Sequence, residues 1–99
     1  MSKKTIKNLI AEKYIEFKKT INDKFNNEYN DLFPNIDDID IVDLLYFFNL
    51  RFASTNDDEN KQAVKDIASI YKIDISDDKF EELFIYVNDF IQFLKKLQQ

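Results

Sequence analysis

Ninety-nine residues with 14 Lys and Arg against 19 Asp and Glu, a net charge of −5, make one compact domain on the acidic side of neutral. The chain has no Gly, which excludes phosphate-cradling loops, dinucleotide fingerprints and the calcium loop of EF-hands. It also has no Cys and no His, which excludes disulfides, thiolate nucleophiles and the common zinc, nickel and iron ligand sets.

The first apolar stripe is Ile6, Leu9, Ile10, Tyr14, Phe17, Ile21 and Phe25. Steps of three and four predict an amphipathic helix, capped by Ser2 or Thr5 and continuing through Tyr29 and Leu32. Pro34 ends it, because Phe33 before a proline is pushed out of the α region. The second helix opens among Asp37, Asp38 and Asp40, where negative charge suits the positive end of the dipole. From Ile39 to Ala53 it is apolar nearly all round and is expected to be the most buried element. Successive residues point about 100° apart, so Tyr46, Phe47 and Phe48 cannot all face one core. Burial in a central helix accommodates them; the alternative leaves one of Tyr46 and Phe48 at the surface as an aromatic anchor beside acids.

Ser54-Thr55-Asn56 closes that helix and caps a third, whose inner face is Ala63, Val64, Ile67, Ala68, Ile70 and Tyr71. Ser76 is the N-cap candidate for the fourth, with Phe80, Leu83, Phe84, Val87, Phe90, Ile91, Leu94 and Leu97 along its stripe. Ten Asn can serve left-handed turn positions in a chain without Gly. The fold class is all-α: one domain over residues 1–99, a compact bundle of about four amphipathic helices in up-down-up-down order. An irregular three-layer helical arrangement fits the same pattern.

Charge is unevenly placed. Residues 34–90 hold fourteen carboxylates against five cations, whereas residues 1–33 hold seven cations against five carboxylates. In an up-down bundle the starts of helices two and four share one end. Asp37, Asp38, Asp40 and Asp43 would then lie near Asp74, Asp77, Asp78, Glu81 and Glu82, an acidic pole. Acids collect at helix starts for dipole reasons alone. Nine exceed what two N-termini need, and such a field steers association with a basic partner.

Several motifs fall away on inspection. The run Asp37 to Asp43 lacks the bend-making Gly and the six to eight converging oxygens that calcium needs, so no metal site is assigned. Gln62 to Phe84 has a loose helix-turn-helix look, yet Asp77, Asp78, Glu81 and Glu82 would meet phosphates, so direct nucleic-acid binding is rejected. Lys3 to Lys24 form a basic stripe interleaved with Glu12, Glu16 and Asp23, read as a solvated face. No secretory h-region or bilayer-length apolar run is present, and a cytoplasmic location without membrane association is expected. No cofactor fingerprint and no set of catalytic residues is found, and the chain is expected not to be an enzyme.

What remains is binding. The leading expectation is a small acidic inhibitor, of the immunity, antitoxin or phage-encoded type, occluding a basic protein such as a nuclease toxin or a host nucleic-acid enzyme. Asp37, Asp38, Asp40, Asp77, Asp78, Glu81 and Glu82 would supply charge, with Tyr46 and Tyr86 as aromatic anchors. The alternative is a self-associating structural or regulatory module, a homo-oligomer built on the surplus aromatic surface of the second helix. The bias toward Lys, Asn, Ile, Asp and Phe, with four Ala, suggests an AT-rich bacterial or phage genome.

Overall fold

A computed structural model describes residues 5–37 and 40–97. Its elements in chain order are α1 (Ile6–Lys24), a 3₁₀ turn (Asn30–Leu32), α2 (Ile41–Arg51), α3 (Asp57–Ile70) and α4 (Asp77–Leu97). Among the described residues there is no strand, and the architecture is an all-α bundle.

Each helix starts where a side-chain acceptor meets its first free amides. Thr5 Oγ1 accepts from the Asn8 amide at 3.2 Å, Asp40 from Val42 at 3.0 Å and Asn56 from Asp58 at 2.8 Å. Ser76 Oγ lies 3.4 Å from the Lys79 amide at the start of α4. Ser2 lies outside the described residues, and Thr5 takes the cap of α1.

α1 stops at Lys24, short of the expected run through Leu32. Asn26 and Asn27 adopt φ of 52° and 63°, and the Asn27 amide reaches back to the Asn22 carbonyl at 2.9 Å. Asparagine tolerates this left-handed geometry and here does the work of a C-terminal glycine. The chain then folds back along α1. Lys18 Nζ donates to the carbonyls of Asn30 at 2.7 Å and Phe33 at 2.9 Å, and the Tyr14 hydroxyl donates to the Pro34 carbonyl. Phe33 is extended at φ −127°, ψ 141°, as a residue before proline must be.

Side-chain pairs fix the helix directions. Phe25 meets Tyr86 and Phe17 meets Phe90, while Glu28 pairs with Lys79, so α1 and α4 are antiparallel. Phe48 meets Phe90 and Lys95 Nζ donates to the Ser54 carbonyl, so α2 runs parallel to α4. Lys61 pairs with Glu81 and Lys65 lies over Phe80, so α3 is antiparallel to α4. The order is up-down-up-down.

The core is aromatic. Phe48 lies within 6.4 Å, ring centre to ring centre, of Tyr14, Phe17, Phe33, Phe47, Phe52 and Phe90. The most buried helix is α4, with Phe80, Leu83, Phe84, Val87, Phe90, Ile91 and Leu94 all inside. This corrects the expectation for α2, in which only Leu44 and Phe48 are fully buried. A four-helix arrangement asks one stripe of each helix for the core. α2 supplies Leu44 and Phe48, backed by partly buried Ile41 and Leu45, and its second apolar stripe has nothing to cover it among the described residues.

Candidate functional site

Val42, Tyr46 and Leu50 recur every four residues along α2, on the side away from buried Leu44 and Phe48. They are 53, 68 and 63% exposed, far more than large apolar groups that serve a core. Tyr46 is thus at the surface, not buried in a central helix.

The stripe borders a groove. Leu50, Arg51 and Ala53 of α2 and its C-terminal turn line an open depression of about 350 Å³, facing Glu59, Ala63 and Asp66 of α3. One turn beyond Asp66 on the same face of α3 comes Ile70, 68% exposed, followed by exposed Tyr71. Tyr46, one turn back from Leu50, prolongs the α2 side of this face beyond the depression, and Ile70 prolongs the α3 side. The borders of this face carry Asp43, Glu59 and Asp66. The nearby cation Arg51 is laid on the Phe47 ring at 4.3 Å.

Beneath the groove sits Asn60, 1% exposed. Its Nδ2 donates to the Ser54 carbonyl at 3.1 Å, the carbonyl that also receives Lys95 Nζ at 2.7 Å. This junction holds the α2–α3 corner against the end of α4.

The carboxylates expected to form one pole are distributed differently. Asp37 and Asp40 are exposed at the approach to α2, and Asp38 lies outside the described residues. Asp77, Asp78, Glu81 and Glu82 are exposed on α4. Both helix starts do lie toward one end. However, Phe48 stands beside Phe90, which sets the start of α2 about 9 Å farther along the bundle than the start of α4. Azimuth separates them further. The periodicity that buries Leu83, Phe84 and Val87 sends Asp78, Glu82 and Ile85 to the opposite side, away from α2. Cations also interleave: Lys61 pairs with Glu81 at 3.2 Å and Lys79 with Glu28 at 3.4 Å. Tyr86 is half-buried between α1 and α4, with its ring edge-on to Phe25. Of the predicted contact residues, Asp40 and Tyr46 thus share α2 and its cap, while the four α4 acids and Tyr86 belong elsewhere.

Val42, Leu50, Ala63, Asp66 and Ile70 were not among the sequence-predicted contact residues. For Val42 and Leu50 a signal was present, since α2 carries two apolar stripes and one helix in a bundle needs only one; Ile70 and Tyr71, expected on the inner face of α3, are exposed instead because Asn60, Val64, Ile67 and Ala68 fill that face.

Titration is shifted at three groups around the returning loop. Burial pushes the Tyr14 hydroxyl up. Burial also raises Tyr29, opposed by the Lys79 charge and assisted by that of Glu28. Burial lowers the Lys18 ammonium, partly offset by Asp31. All three are engaged in holding the fold. Among the described residues, no three His, Cys, Asp or Glu side chains converge to hold a metal ion. No helix among them is long and apolar enough to cross a membrane. Compared with known proteins, the chain matches no family model, no curated sequence and no solved structure.

Proposed function

We propose that this chain is a protein-binding inhibitor, which covers a basic partner with an apolar and acidic face centred on α2. The observation that carries this reading is the line of Val42, Tyr46 and Leu50, each more than half exposed on a helix edged by Asp40 and Asp43. An aromatic anchor in an apolar strip with charged flanks is the composition of a binding hot spot. The partner class that fits is a cationic nucleic-acid enzyme, such as a nuclease toxin or a host enzyme met by a bacterial or phage inhibitor. Carboxylates would stand where its substrate phosphates bind, so inhibition is by occlusion, and the setting is the cytoplasm.

The test is capture of partners from the native host at 50 and 500 mM salt, followed by assay of the captured enzyme. A cationic nucleic-acid enzyme that is inhibited by the wild type and released by Tyr46→Ala supports the proposal. A partner indifferent to Tyr46→Ala, Leu50→Asp and salt overturns it.

One observation favours a second reading, self-association. Val42 and Leu50 flank Tyr46 by one turn on either side, so an antiparallel pair of α2 helices would be self-complementary. Sedimentation at 500 mM salt decides this: a dimer lost in Leu50→Asp supports self-association, and a monomer at all concentrations rejects it.

A further inference from the structure

Resting on the protein-binding reading, we infer that the α2–α3 groove is the seat of one amphipathic basic helix of the partner, with its apolar face against Leu50, Tyr46, Ala63 and Ile70. Three features of the groove select that occupant.

The first is its wall. Both sides are α-helices, whose backbone amides and carbonyls are already bonded within the helix. An extended peptide laid there would find no strand edge to pair its backbone with, only side chains such as Gln62 and Asp66. A helix satisfies its backbone internally and needs only side-chain contacts, which makes helix-in-groove the fitting mode.

The second is its length and spacing. From Leu50 to Val42 along α2, and from Ala63 to Ile70 along α3, these apolar positions span about 10–12 Å of each helix. Two to three turns of a docked helix match that length, anchored by apolar residues at i, i+3 or i+4, and i+7.

The third is charge. Asp43 flanks the strip on α2, while Glu59 and Asp66 rim it on α3. Lys61 and Lys65 of α3 lie on its other side, over the Phe84 and Phe80 rings of α4. Arg51 also lines the depression, its charged guanidinium on the Phe47 ring, so three carboxylates stand against one cation. The rim is therefore anionic, and an incoming helix gains from Lys or Arg beside its apolar stripe and loses from Glu or Asp.

The test uses a 15-residue peptide with Leu at helical i, i+3, i+4 and i+7 spacing and Lys elsewhere, titrated into the isotope-labelled full chain. Amide shifts are expected at Leu50, Ala53, Ala63, Asp66 and Ile70. Leu50→Asp should weaken binding about tenfold or more, and Asp66→Lys should weaken it severalfold with a smaller salt dependence. Ile85→Asp, an equally exposed apolar group on the outer face of α4, should leave affinity unchanged. The same peptide with Glu for Lys should not bind. Shifts centred on Asp78, Glu82 and Ile85 would overturn the groove assignment. So would binding indifferent to Leu50→Asp in a variant whose spectrum shows it folded, equal affinity for the Glu peptide, or a self-dimer that buries Leu50. If a captured partner depends on Tyr46 but no helix of it contacts the groove, the groove mode fails while the protein-binding reading stands. If no partner depends on α2, both fail.

Discussion

Tyr14 is the residue in which packing and polarity are most tightly joined. Its ring is fully buried against Phe17, Phe48 and Phe90, and its hydroxyl holds the Pro34 carbonyl of the returning loop. Tyr14→Phe keeps the ring and leaves that carbonyl without its donor, an expected cost of about 1 kcal/mol measured by urea unfolding at pH 8. The same variant has a pH signature. Because folding raises the hydroxyl above its ordinary value near 10, its contribution is complete below pH 10. Above pH 10 the unfolded chain ionises first, so stability falls as pH rises toward the folded value. Buried Tyr29 slopes the same way. Lys18 works in the opposite sense: its lowered folded value makes stability rise with pH just below 10.5. Tyr14→Phe should therefore lose less stability than the wild type between pH 9.5 and 11. Phe48 carries the apolar counterpart of this argument. With six aromatic neighbours, Phe48→Ala should cost about 3–5 kcal/mol, a large share of the roughly 5–15 kcal/mol typical of a domain, read as a collapse of the urea midpoint.

Helix ends show how a chain without glycine closes its elements. After α3 the Ile73 amide donates to the Ala68 carbonyl and the Lys72 amide to the Ser69 carbonyl, with Lys72 at φ 57°. This is the Schellman pattern, and lysine occupies the position that favours glycine. A side chain with Cβ there costs about 1–2 kcal/mol, against which glycine gives back entropy in the unfolded chain. Lys72→Gly should thus gain about 0.5–1 kcal/mol, seen as a melting temperature higher by a few degrees. α1 ends the same way on Asn26, a residue better suited to that geometry, so Asn26→Gly should gain less. Much of this level was legible beforehand: the caps at Thr5 and Ser76 and most of the stripes of α1, α3 and α4 followed from residue type and spacing, but Ile70 and Tyr71, expected on the inner face of α3, are exposed, as are Ile6 and Leu9 at the start of α1. The stopping point of α1 was not legible, because Tyr29 and Leu32 continue a helical spacing while the turn at Asn26 is set by tertiary return of the loop onto Lys18. The exposure of α2 was not either. Apolar residues at Val42, Tyr46 and Leu50 read as burial when every helix is assumed to be surrounded, and only the assembled bundle shows which side is left bare.

At the scale of the whole molecule the question is which carboxylates can act together. Local sequence pattern already held the azimuth of each acid, since the spacing that turns Leu83 and Val87 inward turns Glu82 outward. It did not hold the placement of one helix around another, and that placement divides the acids into an α2–α3 group and an outer α4 group. The bundle measures 47 × 28 × 20 Å, so opposite faces lie about two Debye lengths or more apart at 0.1 M salt. Charges so separated are screened from one another and do not act as one field. Glu82→Lys should then change stability by no more than about 0.5 kcal/mol and leave partner capture unaltered. Asp43→Lys with Asp66→Lys, both at exposed positions beside the apolar strip, should weaken capture about tenfold and flatten its salt dependence. Thermal melts and capture at 50, 150 and 500 mM salt measure both effects. A partner lost with Glu82→Lys but kept by the double reversal would move the binding face to α4, where Ile85 would become its apolar centre.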